Sequence, residues 1–201
     1  MKQTVIVDYG LGNLRSVLRG LEKAGTCAAI SNDPEVIGTA DGIILPGVGA
    51  FHEGMEQLGG LKKALLEASG EVPVLGICLG MQMLMDWSEE HGLHQGCSLV
   101  PGMVRSFPRV PGFKVPHMGW NSITLEQPDD PLFAGLSSGT YFYFVHSFYA
   151  DTLPSHSLAT TEYICRFSSV ISRGTVYGVQ FHPEKSGAAG LRLLENFIGL
   201  M

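Results

Sequence analysis

The sequence predicts an α/β fold: a mostly parallel central sheet flanked by helices, with an antiparallel extension in the second half. Three observations lead there. In the first half, short apolar runs alternate with longer stretches of helical period. Those runs are continuously apolar, as strands covered on both faces are. In the second half, strand-like runs succeed one another with Pro, Gly, Asp and Ser between them.

Residues 4–8, Thr-Val-Ile-Val-Asp, read as a buried strand. Residues 14–24 read as a helix with Leu14, Val17, Leu18, Leu21 and Ala24 on one face. A second strand is expected at 27–30, and Asn32-Asp33-Pro34-Glu35 reads as a cap and first helical turn. Residues 42–45 make a third strand, 61–69 a helix and 72–77 a fourth strand. Strand and helix alternating at this spacing imply βαβ units. The loops after the third and fourth strands then emerge at the carboxyl edge of the sheet, where open α/β sheets bind ligands. A helix is expected at 81–87. Strands follow at 103–107, 121–125, 141–145, 157–161, 168–173 and 175–180, with Arg173-Gly174-Thr175 as a hairpin turn. A last helix at 188–198 points Leu191, Leu194 and Phe197 inward. No repeat or linker divides the chain, and its 201 residues suit a single domain over 1–201.

Composition narrows the function. Hydrophobic residues are 45% and charged residues 16%, the profile of an ordinary globular chain. A net charge of −6 without a basic run speaks against a nucleic-acid partner. The apolar run after Lys2 is too short for a signal segment, and no stretch reaches the roughly 18 apolar residues of a membrane helix. A cytoplasmic protein without a membrane association is the expectation. Cys27, Cys78, Cys97 and Cys165 share no Cys-x-x-Cys spacing and read as free thiols.

Gly76-Ile77-Cys78-Leu79-Gly80 joins an apolar strand to an apolar helix. A lone cysteine in such a run is ordinarily a small core residue. Flanking glycines at a strand-to-helix switch instead match the nucleophile elbow, Gly-x-Ser-x-Gly with cysteine for serine. The turn leaves no room for flanking side chains, and the helix N-terminus favours negative charge on the sulfur. Such a nucleophile needs a base and an orienting group. His182-Pro183-Glu184 follows a strand, and an extended chain there sets positions 182 and 184 on one side. Pro46-Gly47-Val48-Gly49 exposes backbone N–H groups suited to an oxyanion hole. It lacks the Gly-Lys-Ser/Thr ending of a P-loop, so nucleotide binding is the weaker reading. His91-Gly-Leu-His94 has no third ligand in view, so no metal and no cofactor are expected. His52 and His156 read as ordinary polar positions.

These stretches resemble the class I, or triad, glutamine amidotransferases, whose fold is flavodoxin-like. Asp8-Tyr-Gly-Leu-Gly-Asn13, Lys114-Val-Pro-His-Met-Gly-Trp-Asn121 and Tyr141-Phe-Tyr-Phe-Val-His146 more narrowly resemble the glutaminase-subunit family of imidazole glycerol phosphate synthase. The resemblance implies Cys78 as nucleophile, His182 as base then acid, and Glu184 as its orienting partner. It implies oxyanion donors at Val48, Gly49 and Leu79. Gln82, Glu90, His146, Ser147 and Phe148 would bind L-glutamine, the last three through backbone. Phe148 stands where the family often has tyrosine. Asn13, Trp120, Tyr143 and Lys185 would face a partner, a cyclase subunit with a (β/α)8 barrel, in a heterodimer of histidine biosynthesis. Such subunits often need the partner for activity, and Gly47 and Gly49 would let the oxyanion loop turn on docking. A cysteine peptidase of the same fold and an inactive scaffold are the competing readings.

Overall fold

A computed structural model describes residues 2–201 of the chain. The first half runs β1 (Gln3–Val7), α1 (Leu14–Lys23), β2 (Cys27–Ser31), α2 (Pro34–Gly38), β3 (Gly42–Leu45), α3 (Phe51–Leu58), α4 (Leu61–Ala68), β4 (Val74–Ile77) and α5 (Leu79–Met83). The second half runs β5 (Met85–Ser88), β6 (His94–Gln95), β7 (Val100–Ser106), β8 (His117–Ser122), β9 (Thr124–Leu125), β10 (Tyr141–His146), β11 (Phe148–Asp151), β12 (Ser157–Glu162), β13 (Arg166–Arg173), β14 (Val176–Val179) and α6 (Gly187–Gly199).

The main sheet is twelve-stranded, in the order β2-β1-β3-β4-β14-β13-β11-β7-β5-β6, with β12 and β9 branching from β13. From β2 to β14 every pairing is parallel. Beyond β14 the sheet turns mostly antiparallel, although β5 pairs parallel with β7. β8 and β10 form a separate antiparallel ribbon. The expected α/β class, a mostly parallel sheet with an antiparallel extension, is what the chain adopts.

The continuous apolar strands are explained by layers on both faces. Val5, Val7, Ile43, Leu45 and Val74 pack with Ile37 of α2, Phe51 and Leu58 of α3 and Leu65 of α4. Ile6, Ile44, Leu75 and Ile77 pack on the other side with Val17 and Leu21 of α1 and Leu193, Leu194 and Phe197 of α6. The ribbon joins that second layer through Phe142 and Phe144, and Phe142 stacks on Phe181 at 4.0 Å. Each such side chain, fully withdrawn from water, contributes roughly 1.5–3 kcal/mol. α2 starts as expected: Asp33 accepts from the Glu35 N–H at 2.9 Å, and Pro34 opens the helix.

Several expectations need correction. The helix expected at 81–87 is the five-residue α5, after which Met85–Ser88 is strand β5. Apolar runs this short do not separate helix from strand by periodicity. The strand expected at 121–125 is two strands, β8 in the ribbon and β9 on β12. Helix α3 and strands β6 and β11 stand where no element was expected. In α6 the inward residues are Leu193, Leu194 and Phe197, while Leu191 is half-buried. His182-Pro183-Glu184 is not extended: Pro183 opens a 3₁₀ turn, Pro183–Lys185, because its fixed φ suits a first helical position.

Candidate active site

β3, β4 and β14 are adjacent parallel strands, so their carboxyl ends line up about 4.8 Å apart. After β3 comes the Gly47-Val48-Gly49 loop, after β4 comes Cys78, and after β14 come Gln180 and His182. Cys78 therefore lies between the loop and the histidine. Its backbone is pinned by its own N–H, which donates to the Val179 carbonyl at 2.8 Å. Cys78 has φ 54° and ψ −109° and caps α5. Such a conformation is costly for a side-chain-bearing residue and marks functional turns. The neighbouring glycines make it possible. A Cβ on Gly80 would stand 1.8 Å from the Leu45 carbonyl oxygen, and one on Gly76 2.7 Å from the Met81 nitrogen.

A cleft of about 260 Å3 opens at this edge. Val48, Gly49, Cys78, Leu79, Gln82, Glu90, His146, Ser147, Phe148 and His182, all expected site residues, line it. Pro116 and Val145 complete it. Leu79 is the first residue of α5, so its N–H has no acceptor within the helix. Gly47 is packed against Tyr9, whose hydroxyl donates to the Pro46 carbonyl at 2.6 Å. Val48 and Gly49 beyond it are exposed, and Gly49 has φ +105°. The chain passes from the ribbon into the main sheet at Ser147, which turns the backbone of 146–148 toward the cleft.

Glu184 stands behind His182, with Oε1 2.9 Å from Nδ1, and both side chains are almost fully buried. A carboxylate only accepts at neutral pH, so Nδ1 carries the proton and Nε2 faces Cys78. Burial acts most strongly on this imidazole and disfavours its charge. Hydrogen bonds and charge from Cys78 and Glu184 together outweigh burial and raise its pKa to about 9. The Glu184 Oε2 atom is buried without a partner. The imidazole is therefore the group that compensates this carboxylate among the described residues.

Two polar side chains in the cleft have fixed orientations. Gln82 Nε2 donates to the Phe148 carbonyl at 3.0 Å and to Gln180 Oε1 at 3.1 Å, which leaves Gln82 Oε1 as its free acceptor. Glu90 Oε2 accepts the Phe51 N–H at 2.7 Å and so caps α3, which has no side-chain cap of its own. No Lys or Arg lines the cleft among the described residues.

The His146 side chain belongs to a buried chain of its own. Nδ1 meets the Phe148 carbonyl at 2.8 Å, Nε2 meets His117 Nδ1 at 2.9 Å, and His117 Nε2 meets Asn121 Nδ2 at 3.2 Å. A carbonyl only accepts, so both rings are neutral Nδ1–H tautomers donating in one direction. Burial lowers His117 to about 4 and, with smaller contributions from His117 and His182, His146 to about 3. Cys97 is pushed up to about 11 by burial, which keeps that thiol protonated.

The four expected partner-facing residues lie outside the cleft. Trp120 is 57% exposed and pairs across the ribbon with Tyr143, their rings edge-to-face at 6.2 Å. The Tyr143 carbonyl accepts the His182 N–H at 2.9 Å, and its N–H donates to Ser186 Oγ at 3.0 Å. The ribbon is thus fastened to the turn that carries His182. Lys185 is exposed on that turn, and Asn13 caps α1, its Oδ1 accepting the Ser16 N–H at 3.4 Å. Gln180, Pro116 and Val145 were not foreseen as site residues. Gln180 lies in a bend just past the end of β14, so no strand period pointed to it.

Residues 5–200 match the family described as glutamine amidotransferase class-I, and the chain belongs to that family. The solved structures agree in fold. Thermotoga maritima PurLQS superposes with a TM-score of 0.77 at 16% identity, covering 98% of each chain. The glutaminase domain of Trypanosoma brucei CTPS with bound acivicin superposes at 0.73 and 16%, covering 100% of this chain and 93% of that one. Within the family, the chain is 55% identical over 201 residues to imidazole glycerol phosphate synthase subunit HisH of Methanosarcina acetivorans, with 98% of each covered. It is 52% identical to the HisH subunit of Halobacterium salinarum, covering 96% of this chain and 91% of that one. To that of Lacticaseibacillus casei it is 50% identical, covering 96% and 93%. These identities put it in the HisH branch of the class. Among the described residues, no helix is long and apolar enough to cross a membrane, and no group of three His, Cys, Asp or Glu is placed to hold a metal ion.

Proposed function

We propose that residues 1–201 act as one glutaminase domain that hydrolyses L-glutamine at Cys78. The supporting observation is the strained Cys78 at the head of α5, facing a histidine that Glu184 holds at 2.9 Å. Cys78 gives its proton to His182, and the thiolate attacks the side-chain amide carbon; the raised pKa of His182 is that of the imidazolium held between this thiolate and Glu184. The oxyanion that forms takes hydrogen bonds from backbone N–H groups at Leu79 and in the Val48–Gly49 segment. His182 returns the proton to the leaving nitrogen, and ammonia departs. Water, deprotonated by His182, then opens the glutamyl thioester and releases glutamate. Gln82 Oε1 and Glu90 offer acceptors to the substrate ammonium, and the backbone of 146–148 meets its carboxylate. A cleft of about 260 Å3 lies just below the usual range of drug-sized sites, which suits one amino acid better than a polypeptide.

The ammonia passes to a cyclase subunit, a (β/α)8 barrel bound as a heterodimer over Asn13, Trp120, Tyr143 and Lys185. There it enters the synthesis of imidazole glycerol phosphate and the aminoimidazole carboxamide ribonucleotide of histidine biosynthesis, in the cytoplasm. The HisH names of the relatives and the fastening of Tyr143 to the His182 turn support this reading. The test is glutamine hydrolysis with and without the cyclase subunit and its nucleotide ligand. Stimulated turnover is expected, together with loss of glutamine-dependent synthesis in Cys78→Ala. Synthesis that survives that substitution would refute the assignment.

A further inference from the structure

Gln180 is fully buried one residue beyond β14, and nothing in the reaction above uses it. Its Nε2 lies 3.8 Å from Cys78 Sγ, within hydrogen-bond range for sulfur. The orientation of the amide follows from a backbone carbonyl. Phe148 O can only accept, so Gln82 must turn its NH2 group toward it. The second N–H of that group then meets Gln180 Oε1. With its oxygen occupied, Gln180 has only N–H to offer the sulfur. The backbone holds it in place as well: the Gln180 N–H donates to Ser169 O at 2.9 Å, which ties the bend after β14 to β13.

We infer that Gln180 is a further catalytic residue of the proposed glutaminase reaction: its amide N–H, locked by Gln82, holds Cys78 Sγ and stabilises the sulfur as it loses its proton. The inference rests on Cys78 being the nucleophile. As a thiol, Sγ donates to the Val145 carbonyl at 3.6 Å. Once the proton has gone to His182, that contact is lost and the Gln180 N–H remains. A donor that strengthens on ionisation of the nucleophile favours the attacking form. The ionisable groups around the sulfur are His182 with Glu184 behind it, Tyr9 after β1, His146 at the end of β10 and Glu90 after β5. Gln180 adds no charge to this set.

The test needs no glutamine. Iodoacetamide alkylation of Cys78 is followed by site-resolved mass spectrometry, from pH 6 to pH 10, in the full chain and in Gln180→Met. The substitution keeps the length of the side chain and removes its hydrogen bonds. Alkylation about tenfold slower at pH 6, with rates converging by pH 10, is the expected result. Gln180→Glu, which turns an acceptor toward the sulfur, is expected to be slower still at pH 6. Equal rates throughout in a folded Gln180→Met would overturn the inference. So would failure of both variants to fold, since Gln180 would then serve packing alone. If Cys78 of the parent does not react ahead of the buried Cys97, the nucleophile assignment itself fails, which is a separate outcome.

Discussion

The buried His117–His146 pair makes the chain sensitive to acid, by an amount that follows from the structure. His146 is held neutral as donor to Phe148 O and acceptor from His117, with its pKa lowered from 6.5 to about 3. The unfolded chain leaves this imidazole free to protonate near 6.5. At pH 7 about one unfolded molecule in four carries that proton. At pH 5 roughly thirty carry it for each one that does not. Below 6.5 the unfolded state binds the proton and the fold does not, so stability falls with falling pH until about 3. From pH 7 to 5 the loss is about 2 kcal/mol for this residue. The amount depends only on the folded value lying well below 5. His146→Gln retains one donor and one acceptor without titrating in this range. Urea unfolding of parent and variant at pH 7, 6 and 5 reads the two slopes. The variant is expected to lose about 2 kcal/mol less than the parent over that interval. His182 contributes in the opposite sense, its stabilisation complete below 6.5 and lost as pH rises through about 9, and it is common to both proteins. Parallel stability curves would refute the neutral relay.

Three further outcomes follow from the site. Glu184→Gln removes the charge that orients His182, and glutamine hydrolysis in the stimulated complex should fall on the order of 10²–10⁴-fold in kcat. Loss of the raised pKa should also let His182 titrate at lower pH by NMR. Gly80→Ala places a methyl carbon 1.8 Å from Leu45 O, so denaturant unfolding should show a loss of at least about 1–3 kcal/mol. Gly49→Pro cannot adopt φ +105°, so partner-stimulated turnover should collapse while Cys78 still takes up iodoacetamide. Normal stimulated turnover would remove the turning oxyanion loop from the mechanism.

Much of this was legible in the chain because it is local. The parallel half announces itself through apolar runs bounded by caps and turns. The elbow is legible because two glycines must flank a strained residue. Asp33-Pro34 and Arg173-Gly174-Thr175 each carry their own turn chemistry. Elements whose stability comes from distant partners were not legible. Helix α3 has Gly54 at its centre and reads poorly as a helix. A Cβ there would come within 2.9 Å of Met83 Sδ, so close packing on α5 is what requires the glycine. Strands β5, β6 and β11 are two to four residues long and exist through pairings that no local period encodes.

The same division runs through the site. Residue type and spacing determined by themselves that Cys78 would stand on a turn, with His182 and Glu184 two residues apart and a glycine loop available. Tertiary structure decided that β3, β4 and β14 lie side by side, which brings those three segments into one cleft. It also decided how Glu184 reaches His182, through a 3₁₀ turn opened by Pro183 instead of an extended run. And it placed Gln180 on the sulfur. Side-chain amides take their direction from whichever acceptors surround them, and here those acceptors come from residues 66 and 98 positions away from Gln82 in sequence. Local sequence sets backbone preference, whereas the direction of a buried hydrogen bond is set by the partner the fold delivers.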